Sequence, residues 1–130
     1  MIDFGMQRTH SANAERYSGG FMKIGCHCGV TISDSTDYLS HKAHFTPDQD
    51  VYAVWDGIDD EVINRVATGE LAVKDAYLKS RDIISSPTRQ MWQCFECGRL
   101  FIDGPDGKLY CFVPENEETE KRILRSRTSK

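Results

Sequence analysis

The stretch Cys94-Phe-Glu-Cys97-Gly98-Arg99-Leu100-Phe101 pairs two cysteines and places a glycine directly after the second. A shorter version, Cys26-His-Cys28-Gly29, stands far upstream. Each stretch puts two thiols on a tight turn, and the glycine permits a backbone conformation that aims amides at the sulfur atoms. Two such turns facing each other complete a tetrahedral four-thiolate site, which is a ligand set that zinc favours. The sequence therefore predicts one structural zinc ion held by Cys26, Cys28, Cys94 and Cys97.

Three alternatives to this site remain open from the residues alone. A histidine (His27, His41 or His44) could replace one cysteine, iron could replace zinc, or Cys94 and Cys97 could form a redox dithiol. The dithiol is disfavoured because a thioredoxin-type pair precedes a helix, whereas a strand pattern follows Gly98. The fifth cysteine, Cys111, lies in an apolar strand pattern and is expected to be a buried thiol of the core.

Short apolar runs flank both cysteine turns and predict strands. Ile24 and Val30–Ile32 surround the first turn, while Met91–Cys94 and Arg99–Ile102 surround the second. A Gly- and Pro-containing turn then leads to a further strand pattern at 108–113. The pattern predicts β-hairpins that carry the two turns.

Between the cysteine pairs, residues 33–46 are polar and predict irregular structure, and the periodicity then changes to that of helices. Thr46-Pro47-Asp48-Gln49 is typical of a helix start, with Thr46 as the N-cap. Apolar residues then recur at helical spacing up to Val66, interrupted at Gly57, where a break is possible, and Gly69 suits the end of the helix. A second helix is expected over about 71–84, with an inward face that comprises Val73, Ala76, Tyr77 and Leu78.

The fold class expected from these patterns is α+β. Two zinc knuckles on β-hairpins form a zinc-ribbon-like β unit, and about two α-helices are inserted between them. A single zinc-stapled domain is expected over 22–114, followed by a charged tail or loose helix over 115–130. Residues 1–21 are interpreted as a tail or an untranslated leader, because codons for Gly19-Gly20 can spell a ribosome-binding sequence before Met22.

The two cysteine stretches resemble the zinc-ribbon and rubredoxin-like knuckle proteins. The resemblance covers Ile24–Ile32 and Gln93–Tyr110 and leaves the middle of the chain unassigned. It implies a structural zinc. The first pair departs from the usual pattern, because one residue rather than two separates its cysteines.

Composition and missing motifs narrow the class of protein. The 130 residues fit one domain, and no apolar run is long enough for a membrane span or a signal peptide. Paired, reduced cysteines then favour the cytoplasm. Four thiolates leave no open coordination position, and no phosphate loop, nucleophile elbow or metalloprotease motif is present. The chain is therefore expected not to be an enzyme and to have no catalytic residues.

Charge suggests the kind of partner. The formal net charge of -4 disfavours nucleic acid, and one stretch concentrates acidic residues without a base. This stretch is either a solvated helix face or a contact surface for a basic protein; its residues are Asp48, Asp50, Asp56, Asp59, Asp60 and Glu61.

Size, acidity and two sequence blocks make the chain similar to a class of small bacterial proteins. The blocks are Met22-Lys-Ile-x-Cys-x-Cys-Gly and Gln93-Cys-x-x-Cys-Gly-Arg-Leu-Phe-Ile-Asp103, and the class is encoded beside secreted toxins. Some of its members are immunity proteins, including those of type VI secretion systems. The resemblance implies a protein that blocks a cognate toxin in the cytoplasm. Two other functions remain open: a zinc-ribbon accessory factor of transcription or translation, and a redox or metal-handling protein.

Overall fold

The computed structural model describes residues 8–11, 13–16 and 22–128. Their strands are β1 (Arg8–Ser11), β2 (Asn13–Arg16), β3 (Met22–Gly25), β4 (Thr31–Asp34), β5 (Lys42–Phe45), β6 (Arg89–Gln93), β7 (Leu100–Asp103) and β8 (Leu109–Phe112). The helices are α1 (Asp48–Gly57), a π-helical segment (Ile58–Ile63), α2 (Asn64–Ala67) and α3 (Val73–Ser85). The predicted α+β class, with helices inserted between two hairpin-borne cysteine turns, is confirmed.

The chain divides into two compact units. Phe45–Arg89 forms one, called here the helical unit, and the described residues on either side of it form the cysteine-bearing unit. The predicted boundaries at residues 21 and 114 stay predictions. Of the expected tail or leader over 1–21, residues 1–7, 12 and 17–21 lie outside the described part of the chain.

Two sheets build the cysteine-bearing unit. One has the strand order β1-β8-β7-β6-β5, and the other has the order β2-β3-β4. The β6, β7 and β8 strands are antiparallel neighbours, and their register places Trp92 opposite Phe101 and Phe101 opposite Cys111. All three side chains are completely buried. Ile24 and Ile32, paired across β3 and β4, belong to the same core.

A half-buried ion pair and a hydrogen bond link Asp34 of the second sheet to β5 and β6. The Asp34 carboxylate lies 2.7 Å from the Lys42 ammonium and accepts a 2.9 Å hydrogen bond from the Trp92 indole N–H. Burial raises the pKa of Asp34, but the hydrogen bonds from Lys42 and Trp92 outweigh it, so the pKa lies below its ordinary value. The charged form of Asp34 therefore stabilises the folded state.

Asp34→Asn tests this contribution, because asparagine still accepts from the indole but carries no charge. At neutral pH we expect the variant to lose about 1–3 kcal/mol of unfolding free energy. A depressed carboxyl pKa contributes its full stability above the unfolded value of about 3.9, and this stability is lost as the pH falls towards the lower folded value. The difference from wild type should therefore shrink as the pH falls below about 4, measured by urea unfolding across pH. A difference that stays constant with pH would contradict the assignment.

The helical unit follows the predicted boundaries closely. The chain passes from α1 through the π-helical segment into α2 without a break, so the interruption considered at Gly57 is a change of hydrogen-bond pattern. A β-carbon at Gly57 would lie 3.2 Å from the Ile83 side chain, which shows how closely α3 approaches α1 there. Gly69 ends the first helical stretch as predicted, with φ +82° and a hydrogen bond to the Val66 carbonyl.

Three sequence expectations about residues 33–85 are wrong. α1 begins at Asp48 with an extended Pro47 as N-cap and no side-chain capping bond, so Thr46 is not the cap. The region 33–46, expected to be irregular, contains β5, whose main chain is held by the neighbouring strand β6. Of the inward face expected for α3, only Ala76 is buried; the exposed members are Val73, Tyr77 and Leu78.

The helices were also compared with what a membrane span requires. No helix within the described ranges combines the length and the apolar character that a membrane span requires.

Candidate metal centre

Both cysteine turns have the same backbone design. In the first, Gly29 N–H donates to the Cys26 carbonyl over 3.0 Å; in the second, Gly98 N–H donates to the Cys94 carbonyl over 2.9 Å. The two glycines have φ values of +99° and +84°, a region that glycine adopts without the penalty of a side chain. The predicted reason for a glycine after each pair is confirmed.

The second turn is one residue longer, and its backbone absorbs the difference. Cys26 N–H donates to the carbonyl of Val30, four residues on, whereas Cys94 N–H donates to the carbonyl of Arg99, five residues on. Each turn is therefore closed across its base by a similar bond. The shorter spacing of the first pair does not prevent it from presenting both thiols.

The two turns bring their sulfur atoms together. Cys26 Sγ lies 3.5 Å from Cys97 Sγ, and Cys28 Sγ lies 3.6 Å from Cys94 Sγ, so each close pair joins the two turns. All four Sγ atoms lie within 4.8 Å of one another. The five cysteines are free, and a disulfide would need sulfur atoms only about 2.05 Å apart.

These distances fit a tetrahedral metal ion. Zinc–sulfur bonds of about 2.3 Å imply sulfur–sulfur separations of about 3.8 Å in a regular tetrahedron. The observed contacts of 3.5 and 3.6 Å are close to that value. The four cysteines form a cluster that could bind a metal ion such as zinc, as a zinc-ribbon-like knuckle pair does.

Electrostatics of the cluster favour a bound cation. Burial raises the pKa of both Cys26 and Cys94. Burial would also raise the pKa of Cys97. Hydrogen bonds from the Arg99 backbone and guanidinium outweigh this effect and lower the pKa of Cys97 to about 7. The Arg99 Nη1–Sγ distance is 3.2 Å. Four thiolates crowded into this space need positive charge, which a divalent ion supplies together with Arg99.

A buried glutamine at the end of β6 is hydrogen-bonded to the second cysteine turn. Gln93 is 1% exposed, and its Nε2 donates to the carbonyl of Gly98 over 3.2 Å and to that of Glu120 over 2.9 Å. Its Oε1 accepts from the N–H of Ile123 over 2.8 Å. One carboxamide therefore fastens the chain near residues 120–123 to the cysteine turn.

Sequence reasoning did not assign Gln93 or Arg99 a role in the site. Arg99 carried a usable signal, because a cation two residues from a thiolate can donate to it. Gln93 carried none, since two of its three partners lie on a segment 27 and 30 residues further on.

The other candidate ligands lie outside the sulfur cluster. Among the described residues the cluster comprises the four paired cysteines. His27 is exposed with its ring edge-on to Phe101 at 6.3 Å, and His41 Nε2 bonds the Ser33 carbonyl at 2.8 Å. Cys111 is fully buried in the core, as expected.

The six acidic residues considered for partner binding all lie in the helical unit. Asp48, Asp50 and Asp56 are on α1, and the others are on the π-helical segment; these are Asp59, Asp60 and Glu61. All are exposed except the half-buried Asp50. Within the helical unit, only Glu61 of the six forms an ion pair, 3.3 Å from the Lys79 ammonium.

Comparison with known proteins places the chain in a family. No curated protein and no solved structure matches it. A family match covers residues 22–116, which is more than half of the chain and includes both cysteine turns and the helical unit. The chain belongs to the family described as Domain of unknown function (DUF8617).

Proposed function

We propose that the protein is a zinc-stapled, non-enzymatic module that binds another protein. The observation that carries the proposal is the four-sulfur cluster, which closes the chain on either side of an inserted helical unit. Zinc suits four thiolates better than the other common divalent ions. With its coordination sphere filled by sulfur, the ion serves the fold and offers no position to a substrate.

The helical unit is the surface that we assign to the partner. Only Val62 and Ala76 are buried in this unit, all of whose residues are described. Several large apolar side chains remain exposed instead; they are Tyr52, Trp55, Ile63, Val73, Tyr77, Leu78 and Ile84. Exposed apolar groups beside charged ones are typical of protein-binding surfaces.

The acidic residues of this unit specify the charge of the partner. Six carboxylates and no base lie between residues 48 and 61. Such a surface attracts a basic protein, such as the nucleic-acid cleft of a nuclease, and repels nucleic acid itself. In line with the resemblance to small proteins encoded beside secreted toxins, the finer proposal is an immunity protein that neutralises a cognate toxin in the cytoplasm. A reducing compartment keeps the thiols available to the metal.

A triple variant, Asp59→Lys, Asp60→Lys and Glu61→Lys, tests the acidic surface. The partner to use is the product of the neighbouring gene, measured by pull-down, by association kinetics and by rescue from toxicity. We expect the variant to bind roughly tenfold or more weakly, mainly through a slower and less salt-dependent association. Substitutions at such exposed positions usually change stability by less than about 0.5 kcal/mol.

A matched control reverses three other exposed acids, Glu115, Glu117 and Glu118, and so makes the same change in net charge. We expect this control to bind and rescue like wild type. Full rescue by the Asp59–Glu61 variant would show that the acidic stretch is only a solvated face. Failure of wild type to bind or rescue would exclude the immunity function.

A further inference from the structure

An aromatic pair on α1 is exposed in the part of the chain that the structure describes. Tyr52 is 73% exposed and Trp55 is 57% exposed. Their rings meet edge to face with centroids 5.3 Å apart. At 100° per residue, Asp48 and Asp56 fall in the same arc of α1 as these rings, and both are exposed. We call these four residues the aromatic-acidic face.

The C-terminal segment has the complementary chemistry. The sequence Lys-Arg-Ile-Leu-Arg-Ser-Arg-Thr-Ser-Lys, residues 121–130, holds five bases and no acid. Arg122 and Arg127 are exposed, and Ile123 is 59% exposed. The bond from Ile123 N–H to Gln93 anchors the main chain at Ile123.

In the single chain, both surfaces are exposed at the same time. A second copy of the chain can supply a partner for each of them. We infer that the protein forms a two-fold dimer in which the C-terminal segment of each copy lies on the aromatic-acidic face of the other. Such an exchange is self-complementary and closed, because each copy gives and receives one segment.

The chemistry of the contact follows from the residues. Ile123 supplies apolar surface for the Tyr52 and Trp55 rings, and guanidinium groups stack well on such rings. Arg122 and Arg127 supply the charge opposite Asp48 and Asp56. The inference does not depend on the immunity function, but a basic partner that uses α1 would have to compete with the segment.

The test uses the purified, zinc-loaded full chain in sedimentation velocity. Wild type should show a concentration-dependent dimer at low salt that dissociates at about 1 M salt, where the Debye length is only about 3 Å. Trp55→Ala should raise the dissociation constant about 30-fold or more, as expected for an aromatic anchor. A wild-type chain that stays monomeric at low salt and high concentration would overturn the inference.

Charge exchange makes the test specific to these two surfaces. The Asp48→Arg/Asp56→Arg variant and the Arg122→Glu/Arg127→Glu variant should each be monomeric, because like charges then face each other. Mixed together, they should form a heterodimer, since both contacts again join opposite charges. Unchanged zinc content and melting of each variant would show that it is folded. If the folded variants fail to pair, the proposed contact is wrong.

Discussion

Cys94→Ser is expected to abolish metal binding and cooperative unfolding together. Cys94 is completely buried and supplies one of the four sulfur atoms, and its Sγ lies 3.6 Å from that of Cys28. Structural zinc sites contribute on the order of 10 kcal/mol or more, which is comparable to the whole stability of a small domain. Elemental analysis and a thermal melt measure the two effects on the same sample.

The matched control is Cys111→Ser, because Cys111 is equally buried but lies outside the sulfur cluster. It should keep its zinc and lose only about 1–3 kcal/mol, the usual cost of burying a hydroxyl in an apolar site. Removing zinc from wild type with a chelator should reproduce the Cys94→Ser phenotype. A metal-free chain that still melts sharply would refute the structural role of the ion.

Gln93→Leu is expected to release the C-terminal segment from the second cysteine turn. The substitution brings an apolar side chain of broadly similar size and removes three hydrogen bonds, to Gly98, Glu120 and Ile123. The loss should cost about 2–4 kcal/mol, because buried groups are left unpaired. Trypsin should then cleave after Arg122 and Arg125 much faster than in wild type, while the zinc content stays unchanged.

Gln90→Leu, on the same strand and half-buried, is the control and should be cleaved at the wild-type rate. Equal cleavage of wild type and Gln93→Leu would mean that the carboxamide does not hold the segment.

Local patterns predicted most of the elements and the four cysteines that are candidate metal ligands. The two cysteine turns could be predicted because a glycine follows each cysteine pair. Each of these glycines has a positive φ, a conformation for which glycine is the usual residue. The strands beside them and the helical stretches were also predicted, since their periodicity depends on neighbouring residues.

Features that depend on distant residues were not predictable. β5 is held by its neighbour β6, which begins 44 positions after β5 ends, and its four residues, Lys-Ala-His-Phe, form only a short alternating pattern. Threonine is a residue type that often caps a helix, yet the backbone at Pro47 is extended, so α1 begins at Asp48 and Thr46 is not its cap. The apolar spacing of α3 predicted a buried face, but spacing cannot show whether another element covers it, and most of that face is exposed.

The sequence by itself determined the α+β class, the two cysteine turns and the order of the main strands and helices, because each depends on contacts within a few residues. Only the tertiary structure decided that all four sulfur atoms meet within 4.8 Å, that Gln93 ties the C-terminal segment to a turn, and that Tyr52 and Trp55 remain exposed. These features join or separate residues far apart in the chain. Their distances are set by how the sheets and helices pack, which no local pattern encodes.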